Sequence, residues 1–578
     1  MARDNKRSEK VKLYLGALAV ILVCIMCIFL GKVIKKYTPS KERLSLNDYF
    51  KIEEEDNINA AIILDNTLIE DKIVLEDGVY YISMSLVKNS IDDRFYYDEA
   101  ETKLFYTIPT GSFVTTPGDK AYYFDDKKND LNAVAVLSRE DSLYIELSYL
   151  KMITGIDYET FDNPNRVMIN TKTKELETAI VKKDTQLRYR GGIKSPILKD
   201  MLSDTKVYVL SKGDGWCEII TDDGIRGYIK KKHLKDYDSE KIKVKRTKIE
   251  ERHEFFDKTI SMAWHQVFTR VGRNDAMNAI QNASGLNVVS PTWFYLNDNK
   301  GGIVSYCSKD YVEYCHSNGV EVWALVNNFE NKDVDTYEVL SKTTTRENLI
   351  SALISKAIEY KLDGINVDFE SLKPECGEAY IEFIRELSIR CHNNGITLSV
   401  DNYVPSDYTS FYNRSEQAIF ADYVIIMAYD EHYAGSSEGS VSSIGYVENG
   451  IADTLKEVPA EQIIVGLPFY TRIWELTPIK TDEGDIISYD VKSKAVGMLK
   501  AEKAVADNNA KVTFDKEAGQ NYAEYEKNGI TYMIWLEDED SLKLKLEKVK
   551  QYEVKGVSFW KLGFEKSTTY NTITKYIH

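Results

Sequence analysis

Cysteine and histidine are both scarce, with 7 of each in 578 residues. So few cysteines in that length do not make a disulfide scaffold; Cys24 and Cys27 lie in an apolar run, and the other five, an odd number, offer no close pair at metal-ligand spacing. Positive charge is also short: 74 basic against 91 acidic residues leave a net charge of −17. That balance argues against a nucleic acid as the main partner, although it leaves room for a local basic patch. A chain that is 43% apolar and 29% charged is neither disordered, collagen-like nor a polytopic membrane protein. At roughly 150 residues per domain the length suggests three or four domains.

The sharpest change of composition comes first. Leu13 to Gly31 carries no charge. As a helix it spans about 28 Å, close to the hydrocarbon core of a bilayer. Arg3, Lys6, Arg7, Lys10 and Lys12 precede it, and Lys32, Lys35 and Lys36 follow. A cleaved signal peptide is the rival, but it needs a shorter apolar core and an Ala-x-Ala-like site. The expectation is a membrane anchor over residues 13–34 after a cytoplasmic tail at 1–12. The more basic N-terminal flank inside puts the remainder outside the cytoplasm. Residues 35–58, charged and polar, read as a stalk. Cys307 and Cys315 are able to pair, with buried free thiols as the blander reading.

Residues 59–175 show short strands, turns and an internal echo. Tyr81-Ile82-Ser83-Met84-Ser85-Leu86-Val87-Lys88 returns as Tyr144-Ile145-Glu146-Leu147-Ser148-Tyr149-Leu150-Lys151. Each copy leads to an aromatic and acidic turn, Phe95–Asp98 or Tyr158–Asp162, and then a strand, Lys103–Ile108 or Arg166–Asn170. This predicts a duplicated strand–helix–strand unit in a small α+β domain. The stretch resembles the copper amine oxidase N-terminal-like domain, but has no histidine cluster and predicts no copper. Over residues 183–235, strand signals alternate with Gly213-Asp214-Gly215-Trp216, Asp222-Asp223-Gly224 and Gly227-Tyr228-Ile229, a small β-barrel pattern. It resembles bacterial Src-homology-3-like domains, which implies either a wall-peptide binder or a spacer. A charged linker, 236–255, is compatible with a solvated helix.

Residues 256–578 suit a (β/α)8 TIM barrel with insertions. Eight apolar runs alternate with helical stretches: Thr259–Trp264, Val288–Thr292, Glu321–Val326, Gly364–Phe369, Thr397–Val400, Tyr423–Ala428, Ile463–Leu467 and Val557–Trp560. In the fourth, period-two alternation turns Ile365, Val367 and Phe369 towards the outer helices. Asn366, Asp368 and Glu370 then face the barrel interior, with Glu370 last, at the mouth where barrel enzymes keep their chemistry. Inward polar groups are costly unless paired. Carboxylates two residues apart, about 6.6 Å between Cα atoms, raise one another's pKa, and an apolar wall adds to this. Such a Glu stays protonated near neutrality and is able to act as a general acid. A purely structural hydrogen-bond network is the alternative. Asp363 has the opposite parity and is expected to brace the strand start. His265 is expected to be structural.

Asp363 to Glu370 resembles the Asp-x-x-Asp-x-Asp-x-Glu signature of glycoside hydrolase family 18, the chitinase family, with Asn366 where chitinases usually have Asp. The set is similar to the spore-cortex-lytic, N-acetylglucosaminidase branch of that family. Met427-Ala428-Tyr429-Asp430, the Gly466–Arg472 segment, Gly556–Trp560 and Val289–Trp293 resemble other family strands in the right order. The resemblance implies substrate-assisted retention without metal or cofactor. Glu370 is implied as the acid, Asp368 as the group that orients the substrate's acetamide, and Tyr429 as its hydrogen-bond donor. Trp560 is implied as the sugar floor. Asn366, Tyr470, Asp430 and Met427 complete the expected substrate contacts, and Asn366 implies an altered pH dependence. The partner so implied is an N-acetylated glycan, in peptidoglycan, spore cortex or chitin. A chitinase and a non-catalytic glycan-binding protein are the alternatives.

Overall fold

The computed structural model describes residues 2–53 and 57–577. The side chains of Arg3 and Lys6, part of the expected stalk (54–56) and the last residue of the expected barrel domain, His578, lie outside the described residues. The chain forms two compact units. One comprises residues 1–93, 117–121 and 130–248; the other comprises 94–116, 122–129 and 249–578.

The first unit begins with the helix Ala2–Tyr37. Its segment Lys10–Tyr37 is long and apolar enough to cross a membrane, a property that signal sequences and anchors share. Part of the expected stalk is folded. Ser45 caps a short helix, Leu46–Phe50, and Phe50 and Ile52 are buried in a core with Leu187, Val207 and Ile219. Two apolar side chains in a polar stretch found a core, and burial outweighs the average composition around them.

The echoed segments form matching strand–helix units, Val79–Ser83 with Met84–Ser90 and Ser142–Glu146 with Leu147–Thr154. Their strands pair antiparallel, Ile82 opposite Ile145, inside a seven-stranded sheet. The two aromatic stretches expected as turns are strands instead, Phe95–Asp98 and Asp157–Phe161, since aromatic rings favour a pleated surface. The hairpin of the second copy stays in that sheet. The hairpin of the first copy joins the second unit, where Thr107 donates to the buried Glu382 and Tyr96 donates to the Ser341 carbonyl. A second seven-stranded sheet includes Lys174–Val181 and Leu234–Ile242. These two strands pair with each other, so the start of the expected solvated helix is a sheet edge.

In the second unit eight parallel strands close a TIM barrel: β1 Ile260–His265, β2 Val288–Pro291, β3 Glu321–Asn327, β4 Gly364–Asp368, β5 Thr397–Tyr403, β6 Tyr423–Met427, β7 Ile463–Pro468 and β8 Gly556–Trp560. Pairing of β8 with β1 and of β2 with β3 closes the ring. All eight predicted runs fall on these strands. Alternation sorts the side chains as expected: Ile365, Val367 and Phe369 join the core under the helices, and Phe369 stacks on Phe383 of the helix Gly377–His392.

The interior has an apolar, aromatic lower part, where Trp323 stacks on Tyr423 at 5.4 Å among Met262, Ile425 and Ile464. Gly364 is required there, since a Cβ would lie 2.6 Å from the Trp323 ring. Between β7 and β8 the chain inserts a five-stranded antiparallel sheet with a helix, Met498–Asp507. All five cysteines beyond the first helix are buried free thiols, Cys307 and Cys315 included.

Candidate active site

The inward row of β4 rises from Asn366 through Asp368 to Glu370, which follows the strand. Asn366 is fully buried and all of its hydrogen-bonding capacity is used inside the barrel. Its Oδ1 accepts from Trp264 Nε1 at 3.0 Å and from Ser290 Oγ at 3.1 Å. Its Nδ2 donates to Ser399 Oγ at 3.0 Å and to Asp401 Oδ1 at 2.8 Å. The expectation of a substrate contact at Asn366 is therefore corrected: the amide ties β1, β2, β4 and β5 together beneath the cavity and has nothing left to offer a ligand.

Glu370 is held at the mouth by its backbone. Asn328, just beyond β3, accepts from the Glu370 N–H at 2.8 Å and donates to its carbonyl at 3.0 Å. Ser371 then turns the chain with φ of 54°, a left-handed conformation that few non-glycine residues adopt. The Tyr403 hydroxyl, from the end of β5, donates to Glu370 Oε2 at 2.8 Å. Burial raises the Glu370 pKa, the Tyr403 hydrogen bond pulls it back, and the nearby Asp430 charge raises it again, so the net shift is upwards.

Asp368 is buried and its Oδ1 has no hydrogen-bond partner. Burial first, then the charges of Asp401 and Glu370, push its pKa far above the usual carboxylate range. Asp401 is buried as well. Burial pushes it up to about 8, against the pull of the Asn366 hydrogen bond.

These groups open onto a cavity of ≈ 230 Å³. Glu370 and Asp368 form its acidic side, and Tyr429, Trp560, Tyr470, Asp430 and Met427 stand on its wall with them. The Tyr429 ring lies edge-on to Trp264 at 6.4 Å and to Tyr470 at 6.2 Å. Its hydroxyl stays protonated, because burial and the surrounding acidic groups raise its pKa well above the ordinary value. Gly466 on β7 makes the room, since a Cβ there would stand 3.3 Å from both Trp264 and Tyr429. Trp560 packs on Trp264 at 5.9 Å. Asp430, with φ of 57°, accepts from the Tyr470 hydroxyl at 2.7 Å and from Arg472 at 3.4 Å, both on the inserted sheet. One side of the pocket is thus supplied by the insertion.

Two expectations outside the pocket have structural positions. Asp363 accepts from the Val322 N–H and pairs with His316, each at 2.8 Å, which braces the base of β4 against β3. His265 faces the outer layer, 2.8 Å from the Tyr311 hydroxyl, with its pKa lowered by burial to about 4.

Asp401, Tyr403, Trp264, Gln266 and Phe329 also line the cavity and were missed. For the first two a signal existed: Ser399, Asp401 and Tyr403 repeat at period two, but the predicted strand stopped at Val400. Among the described residues no group of three His, Cys, Asp or Glu side chains is arranged to hold a metal ion.

Residues 273–565, just over half of the chain, match glycosyl hydrolases family 18. The chain belongs to this family. It is 26% identical over 302 residues to the uncharacterized glycosylase YvbX of Bacillus subtilis, covering 50% of this chain and 84% of that one. It is 27% identical over 257 residues to the cortical fragment-lytic enzyme of the same organism, covering 43% and 58%. Class V chitinase CHIT5 of Lotus japonicus is 24% identical over 265 residues, covering 40% and 64%. The chain thus spans less than two thirds of the length of the last two. The matched region carries barrel strands β2 to β8, with the acidic row of β4. The protein is accordingly a family 18 glycoside hydrolase related to cortex-lytic enzymes and chitinases.

Proposed function

We propose that this hydrolase cleaves the glycosidic bond next to N-acetylglucosamine in wall glycan, peptidoglycan or spore cortex, by substrate-assisted retaining catalysis. The observation that carries the reading is Glu370, its pKa raised by burial, at the mouth of a cavity that a second buried acid, Asp368, also lines. Glu370 gives its proton to the leaving oxygen as the bond to the anomeric carbon breaks. The acetamide oxygen of the same sugar closes on that carbon and forms an oxazolinium. Asp368 accepts from the acetamide N–H and balances the positive charge, and Tyr429, a neutral donor, holds the acetamide oxygen. Trp560 offers the sugar ring an apolar face. Water then adds to the anomeric carbon as its bond to the acetamide oxygen breaks, and gives a proton to the Glu370 carboxylate, which restores the acid and the acetamide.

Wall glycan is favoured because the cortical fragment-lytic enzyme is among the relatives. The apolar helix, read as an anchor at 13–34, and the two upstream modules, read as amine-oxidase-N-terminal-like (59–175) and Src-homology-3-like (183–235), suit an enzyme held outside the cytoplasm against the wall. The catalytic region is taken as 256–578. Hydrolysis of chitin is the second reading, favoured by the likeness to a class V chitinase. Mass spectrometry of products from purified cortex and from N-acetylchitooligosaccharides, with wild type beside Glu370→Gln, separates the readings. Equal turnover by the two proteins would remove the mechanism.

A further inference from the structure

The tops of β4 and β5 carry two facing rows. The register pairs Asn366 with Ser399 and Val367 with Val400. The next inward residues are therefore Asp368 and Asp401, and the next Glu370 and Tyr403. The first and third levels are joined by hydrogen bonds. The middle level brings together two buried carboxyl groups, each with an oxygen that has no partner: Asp368 Oδ1 and Asp401 Oδ2. Both residues line the cavity, and no cation is paired with either among the described residues.

We propose that Asp401 is the proton-sharing partner of Asp368, a second carboxyl group of the cycle delivered by β5 in place of one at position 366. The inference rests on the substrate-assisted reading above. Two adjacent buried carboxylates without a cation do not both ionise, whereas one proton between them leaves a single charge. Asn366 fits this arrangement. A carboxylate there would have no hydrogen to give Ser399 or Asp401, and would set a further negative charge against Asp401 Oδ1 at 2.8 Å. An amide offers two donors to that side and two lone pairs to Trp264 and Ser290. The groups that face the pair are Asn366 on β4, Glu370 just beyond it, Trp264 on β1, Tyr412 after β5, Tyr429 beyond β6, and Tyr380 on the helix behind. In the free enzyme the pair holds one proton. When the acetamide N–H of the sugar donates to Asp368, that proton rests on Asp401. The pair carries one negative charge before and after, and no proton enters or leaves.

The test compares the full chain with Asp401→Asn and with the double variant Asn366→Asp/Asp401→Asn, which moves the carboxyl group from β5 to β4. The probes are an N-acetylchitooligosaccharide and purified cortex glycan, and folding is checked by circular dichroism. Asp401→Asn is expected to lower kcat at least tenfold with little change in KM. It should also move the acid limb of the pH profile downwards, since Asp368 ionises more readily without a negative neighbour. The double variant is expected to regain most of the loss. Wild-type kcat and pH profile in folded Asp401→Asn would overturn the proposal, as would a folded double variant no better than the single one. Aspartate-selective ¹³Cγ NMR of the unmodified chain covers the case in which a variant does not fold. One aspartate proton should titrate well above the usual carboxylate range, and titration of every aspartate within that range would overturn the proposal. Glu370→Gln serves as the control: if it hydrolyses as fast as wild type, the functional reading falls, whereas its loss beside an unaffected Asp401→Asn sinks only the present inference.

Discussion

Strands β4 and β5 lie side by side, point polar groups into the same cavity, and build them on opposite plans. On β4 the acidic residues climb towards the mouth and end at Glu370, whose backbone is clamped by Asn328. On β5 the acid sits low, and the top position is a tyrosine that reaches across to Glu370. In the proposed mechanism β4 presents groups to the substrate, and β5 sets the protonation of those groups.

The hardest way to break the comparison is to remove the acid. Glu370→Gln keeps the shape and the hydrogen bond from Tyr403 but has no proton to give, and kcat should fall about a thousandfold, within the usual range for a general acid. Asp368→Asn removes the charge that, in the proposed mechanism, balances the oxazolinium. A loss of about a hundredfold in kcat with little change in KM is expected in the same assay. A loss confined to KM would place Asp368 among simple binding groups.

Stability sharpens the contrast further. The folded-state pKa of Asp401 lies above its unfolded value, near 8. Its stabilising contribution is therefore complete below the ordinary carboxylate pKa and is lost as pH rises towards 8. Between these limits the folded state binds more protons, and stability falls by up to about 1.4 kcal/mol per pH unit for one proton. Denaturant titrations at pH 5 and pH 8 should show that slope in wild type and a shallower one in Asp401→Asn; parallel slopes would contradict the shift.

The smallest effect concerns Tyr403. Its hydrogen bond favours ionised Glu370, so Tyr403→Phe should raise the Glu370 pKa further. The alkaline limb of the rate profile should move up, with kcat at the optimum changed only a few-fold. An unmoved limb would make Tyr403 a packing residue.

The barrel was legible because its strands are short apolar runs at regular intervals, and β4 was legible because period-two alternation separates Ile365 and Val367 from Asn366 and Asp368. The same rule applied to β5 reaches Asp401 and Tyr403 only if the strand continues past Val400, into the polar Asp401-Asn402-Tyr403 that ends as a strand end or a loop would. Burial misled elsewhere. The stretch around Phe50 and Ile52 is polar on average, yet those two side chains found a core.

By itself the amino-acid order determined the eight strands, the face on which each β4 residue lies and the acid at the mouth, because these follow from local alternation and chain direction. Only the tertiary structure decided that Asn366 is sealed beneath the cavity, that Asp401 stands beside Asp368, and that Tyr470 and Arg472 reach Asp430 from an inserted sheet. Those facts depend on hydrogen bonds and burial between residues more than thirty positions apart, and local pattern carries no information about distances of that kind.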